Sequence, residues 1–117
     1  MKTIDFFDET PMMRMYRGDT SPELVIRVGL ETTTGYSMRV VLESTKVPGS
    51  VALVKECSAF SDTTGTGWAV TITSDDSAAL LPGTYRMHFI LTSPEELEYR
   101  KLVGTLQVLD IPQEVES

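Results

Sequence analysis

Four stretches of this chain alternate apolar and polar residues with a period of two. Leu24, Ile26, Val28 and Leu30 share one face of an extended segment, with Glu23 and Arg27 on the other. Tyr36, Met38, Val40 and Leu42 alternate with Ser37, Arg39 and Glu43. Trp68, Val70 and Ile72 alternate with Thr71 and Thr73, and Tyr85, Met87, Phe89 and Leu91 with Arg86, His88 and Thr92. Successive side chains of a pleated strand point to opposite faces, so each stretch predicts a strand with one buried and one solvated face. Residues 51–60 and 97–109 read as two further strands with poorer alternation. Turn-forming sequences at 32–35, 46–50, 61–67 and 93–96 separate the runs. One short helical turn is expected, capped by Ser74, led by Asp75 and Asp76, and ended by Leu81-Pro82-Gly83.

Half-buried strands need a second sheet to cover their apolar faces, which predicts an antiparallel β-sandwich, with a small closed barrel as the other arrangement. The 117 residues make one domain, and a chain of this size buries about two-thirds of its surface on folding. The expected organisation is an N-terminal arm over residues 1–11, the sandwich over 12–109, and an acidic tail over 110–117.

The chemistry-bearing residues are few. One Cys and one His exclude an intrachain disulfide and argue against a zinc site. Cys57 has no basic neighbour to lower its pKa and reads as a small buried hydrophobe. His88 lies on the polar side of its strand, has no nucleophile signature beside it, and reads as a solvated surface histidine. Asp75-Asp76 lacks the spaced acids of a calcium loop. Arg17-Gly18-Asp19 reads as a turn before the Leu24 strand. Arg27, Arg39, Arg86 and Arg100 are expected to pair with Glu23, Glu43 and Glu98 across a solvated face. The net charge of −7 disfavours nucleic acid and anionic membrane as partners. No run approaches the ~18 apolar residues of a membrane-spanning helix. The N-terminus lacks the apolar core of a secretory signal, so synthesis in the cytoplasm without a signal peptide is expected. No catalytic, metal or cofactor-binding residues are expected, and the chain is not expected to be an enzyme.

The N-terminal segment is the least plain part of the chain. Ile4, Phe6, Phe7, Met12, Met13 and Met15 crowd into the first fifteen residues of the sequence. Methionine is flexible and polarizable, which suits adaptable contacts. Phe6, Phe7, Met12 and Met13 are therefore the candidate partner-binding residues, set against the plainer reading of an edge strand folded onto the sandwich. Residues 13–16 are expected to be a strand of the domain itself.

Three pieces in order carry a family resemblance: Tyr16-Arg17-Gly18-Asp19-Thr20 leading into an alternating strand, Gly35-Tyr36-Ser37-Met38-Arg39-Val40, and Leu80-Leu81-Pro82-Gly83-Thr84-Tyr85-Arg86-Met87-His88-Phe89 followed by residues 102–109. This order resembles the immunoglobulin-like N-terminal domain of tailed-phage baseplate upper proteins and related small tail, fibre and head-decoration domains. The resemblance implies an immunoglobulin-like sandwich of about seven strands. Leu81-Pro82-Gly83-Thr84-Tyr85 resembles a tyrosine corner, with Met87 where antibody domains carry a Cys. Gly104 suggests a bulge. The resemblance further implies a non-enzymatic structural or assembly module of a phage or prophage. Such a module is made in the host bacterial cytoplasm, is located in the virion, and packs with itself as a homo-oligomer or with other virion proteins. The reading from another class is a carbohydrate-binding or adhesion module, which requires Tyr16, Tyr99 and Trp68 exposed on one concave face.

Overall fold

A computed structural model describes residues 2–5, 13–28, 30, 32–47, 49–62 and 65–110. Among the described residues, nine strands and one helical turn follow in chain order: β1 (Lys2–Asp5), β2 (Met13–Tyr16), β3 (Leu24–Arg27), β4 (Ser37–Ser44), β5 (Val51–Glu56), β6 (Ser58–Asp62), β7 (Gly65–Val70), α1 (Ser74–Ala78), β8 (Gly83–Thr92) and β9 (Glu98–Leu109). They form two sheets, ordered β1-β3-β7-β6 and β2-β9-β8-β4-β5. The fold is an all-β sandwich and not a closed barrel. Two pairings depart from the expected antiparallel pattern. β1 runs parallel to β3, with Lys2 opposite Leu24, and β2 runs parallel to β9, with Met13 opposite Leu106.

The alternating residues meet between the sheets. Leu24 and Ile26 from β3 and Trp68 and Val70 from β7 face Met38, Val40 and Leu42 from β4 and Tyr85, Met87, Phe89 and Leu91 from β8. Ile72, Leu80, Leu106 and Val108 complete the interior with Met13 and Met15. Trp68 is 1% exposed and Phe89 is fully buried. Burial of a large apolar side chain stabilises a fold by about 1.5–3 kcal/mol.

The run from 51 to 60, expected as one strand, is two. It breaks at Cys57, with β5 in the five-stranded sheet and β6 in the other. Cys57 N–H donates to the Met38 carbonyl at the crossing. The inward-facing positions keep the same parity across the break, with Leu53 opposite Leu42 and Ala59 opposite Trp68, so alternation does not mark the change of sheet.

The helix cap sits one residue before its expected place. Thr73, and not Ser74, is the N-cap: its side chain accepts from Asp76 N–H, while the Asp76 carboxylate accepts from Thr73 N–H. That reciprocal pair is a capping box, which requires the acidic residue three positions after the cap, and Asp76 stands at that spacing from Thr73. Lys55, on β5, pairs with Asp76 and donates to Thr71 O at 2.7 Å. The Lys55 hydrogen bond holds the Asp76 carboxyl below its ordinary range.

The tyrosine corner is present. Tyr85 Oη donates to Leu81 O at 2.5 Å, and burial pushes the phenol pKa up. The β8–β9 register shifts between Met87, opposite Gly104, and His88, opposite Leu102, so a bulge lies beside Gly104. At the same end of the sandwich, the turn after β2 is tied to α1. Gly18 adopts φ +87°, and Asp19 N–H donates to Tyr16 O. Ser77, fully buried on α1, accepts from Gly18 N–H at 2.9 Å and donates to Asp19 O at 2.7 Å. Arg17 completes the tie, donating to Ala78 O at 3.0 Å and pairing with Asp110 at 3.5 Å.

Candidate functional site

The outer face of the five-stranded sheet collects most of the ionisable side chains that the structure brings together. β4 contributes Arg39, Val41 and Glu43, and β8 contributes Arg86, His88 and Ile90. Pairing sets Val54 of β5 beside Val41, and Arg100 of β9 beside Ile90. All of these but Arg86 line a shallow depression of about 280 Å³. Its floor is apolar: Ile90 and Val41 are 1% and 7% exposed although both point away from the core. Val51 and Val54 stand at its β5 side, each more than half exposed.

Cross-strand ion pairing, as the sequence suggested, organises the polar part. Arg39 reaches Glu98 at 3.1 Å. Since β8 lies between β4 and β9, this pair passes over β8. Glu43 accepts from His88 Nε2 at 3.0 Å, and Arg86 stands 3.9 Å away. The His88 hydrogen bond, with a further one from Gly49 N–H, holds the Glu43 carboxyl below its ordinary range. His88 differs from the expected solvated histidine. Its side chain is 13% exposed, and Nδ1 is buried without a hydrogen-bond partner. The sequence signal was present, since Glu43 and His88 both fall on polar-side positions, but their meeting depends on the β4–β8 register. A carboxylate–imidazole pair can move a proton, yet general-base catalysis also needs an acceptor group placed within reach. The neighbours here are Arg86, Val41 and aliphatic side chains, which suit contact with another surface.

A second depression, about 350 Å³, lies at the end of the sandwich between the β4–β5 turn and the tyrosine corner. Exposed Val47 and Leu81 flank it. Among the described residues no group of three His, Cys, Asp or Glu side chains could hold a metal ion, and no helix is long and apolar enough to cross a membrane.

Of the four candidate partner-binding residues, Phe6, Phe7 and Met12 lie outside the described residues, as do residues 111–117 of the tail. Met13 packs inside the sandwich at 8% exposure. The part of the arm that is described, Lys2–Asp5, forms an edge strand against β3. Cys57 is partly buried against the core, and burial pushes its thiol pKa up to about 12. Tyr16, Tyr99 and Trp68 do not share one exposed face. Trp68 is in the core, Tyr16 pairs opposite Leu109 and Tyr99 starts the same strand β9, which separates the two exposed rings by roughly 30 Å.

A comparison with protein-family models finds no match, and neither does a comparison with curated protein sequences. Among solved structures, the fold is similar to the N-terminal domain of phage TP901-1 ORF48. The likeness covers 92% of this chain and 94% of that one, with a TM-score of 0.58 and 12% sequence identity. The sandwich expected from the alternating strands is thus a fold that a phage protein domain also uses.

Proposed function

We propose that this chain is a non-enzymatic structural module of a phage or prophage particle, which works by packing against copies of itself or against other virion proteins. The observation that carries the reading is the end-to-end likeness to a phage protein domain. The side-chain chemistry is consistent with it: the ionisable residues pair with one another across a sheet face instead of converging on an enclosed cleft. Among the described residues, β1 and β6 are the edge strands of one sheet and β2 and β5 of the other, and an unpaired strand edge is a ready template for pairing with another chain. Phe6 and Phe7 directly follow the β1 edge in the sequence, so an arm that docks on a neighbour would place both rings at that contact.

The test is molar mass by light scattering, for the protein alone and mixed with the proteins encoded beside its gene. A species of fixed stoichiometry heavier than the 13.0 kDa chain is the expected result. A 13.0 kDa monomer under every condition overturns the reading. Within it, a Phe6→Ser/Phe7→Ser double variant that assembles as well as the parent removes the arm from the mechanism.

A further inference from the structure

The outer face of the five-stranded sheet has an order that its individual ion pairs do not reveal. Strand register lays its residues out in rungs. One rung runs Glu56, Arg39, Ile90, Arg100 from β5 through β4 and β8 to β9. The next runs Val54, Val41, His88, and the third runs Val51, Glu43, Arg86, Thr105. Glu43 and Glu56 stand on the β5–β4 half of the face, while Arg86, His88 and Arg100 stand on the β8–β9 half. Arg39 on the first half and Glu98 on the second are the two exceptions, and they pair with each other across β8, so neither half keeps their charge. Exposed Glu56 and Arg100 have no ion-pair partner among the described residues.

A face that is acidic on one half and basic on the other is complementary to itself turned over. A two-fold axis lying in the interface, parallel to the strands and between β4 and β8, exchanges β5 with β9 and β4 with β8. It sets Glu56 opposite Arg100 of the second copy and Glu43 opposite Arg86 of the second copy. Each pair occurs twice, as an isologous contact requires. The same axis covers Val51 and Val54, which the isolated chain leaves more than half exposed. Five strands at ~4.8 Å spacing and eight residues at ~3.3 Å give a face of roughly 24 by 26 Å, of the order of the ~800 Å² that each partner contributes to a standard interface.

We infer that this face is a homodimer interface, in which the five-stranded sheets of two copies pack face to face about that axis. The inference rests on the self-association half of the function proposed above, and it specifies a surface distinct from the arm and the strand edges.

Charge reversal tests it. Sedimentation equilibrium of the parent chain is expected to show twice the 13.0 kDa chain mass at micromolar concentration. Glu56→Arg alone and Arg100→Glu alone each juxtapose like charges twice, and each is expected to weaken the dimer by at least about tenfold. The Glu56→Arg/Arg100→Glu double variant restores opposite charges and returns the affinity to within about threefold of the parent. Val54→Asp, at a strand position more than half exposed in the isolated chain, is expected to abolish the dimer. Thermal melts of all four variants check that the sandwich is intact. A parent chain that stays monomeric overturns the inference while leaving assembly with other proteins standing. A dimer indifferent to Val54→Asp, or single reversals that the double variant does not rescue, overturns it as well.

Discussion

Removing the Ser77 hydroxyl should loosen one end of the sandwich by an amount the structure allows to be worked out. Ser77 is fully buried, and its Oγ serves two backbone groups of the turn after β2, accepting from Gly18 N–H and donating to Asp19 O. Ser77→Ala strands both. A buried polar group without a partner costs about 1–3 kcal/mol, but Gly18 and Asp19 are themselves exposed, so water recovers part of the loss and about 1 kcal/mol each is the better figure. Alanine returns up to ~0.5 kcal/mol through its higher helix propensity. The net expectation is a loss of about 1.5 kcal/mol, or a melting temperature lower by about 6 °C for a domain of this size. Urea unfolding can be followed through Trp68, the only tryptophan and 1% exposed. The slope of the transition should be unchanged while its midpoint falls. A variant within about 0.3 kcal/mol of the parent refutes the reasoning, because water would then replace the hydroxyl completely and the tie between α1 and the turn would carry no stability.

Four further outcomes are expected. Thr73→Ala should cost about 1 kcal/mol through loss of the capping box, whereas Ser74→Ala should be nearly neutral; equal losses in urea titrations would contradict the cap assignment. Gly67→Ala should destabilise by about 1–3 kcal/mol, since its Cβ would stand 2.5 Å from the Ile26 carbonyl oxygen and 3.1 Å from the Phe60 ring, and an unchanged melting temperature would show that the β3–β7 spacing yields. Tyr85→Phe should cost about 1–2 kcal/mol by orphaning the Leu81 carbonyl, measurable in the same titrations, with a neutral result counting against the corner as a staple. Cys57 in the folded chain should alkylate on the order of a thousandfold more slowly at pH 8 than in denaturant. The sign for stability follows from the raised folded pKa: the contribution is intact below the unfolded thiol's pKa of about 8.5 and is lost as pH climbs towards about 12.

The legible part of the fold is the part governed by local pattern. Alternation alone places Leu24, Ile26, Met38, Val40, Trp68, Tyr85, Met87 and Phe89 in the interior, and all are buried. The tyrosine corner and the bulge beside Gly104 were legible because each has a local residue signature. What was not legible depends on strand order. The break at Cys57 hides within a run of strand-forming residues, because nothing local says that residues 51–56 and 58–62 pair with different sheets. The covered state of His88 required knowing that Glu43 would pair beside it. The acidic and basic halves of the outer sheet face arise from four strands far apart in sequence, so the division exists only once β5, β4, β8 and β9 are laid side by side. The Thr73 cap is hard to read for a different reason: Ser74 is also a good cap residue, and only the spacing to Asp76 separates the two.

The parallel pairing of β2 with β9 bears on how the domain answers a mechanical load. Tension applied between Met13 and Leu109 pulls these strands in opposite directions along their common axis. Their ladder, from Met13 opposite Leu106 to Tyr16 opposite Leu109, is then sheared as a unit, with its hydrogen bonds sharing the force, and is not peeled open one bond at a time. A domain strung between two neighbours by these strands would hold its shape under tension until that short ladder gives way all at once.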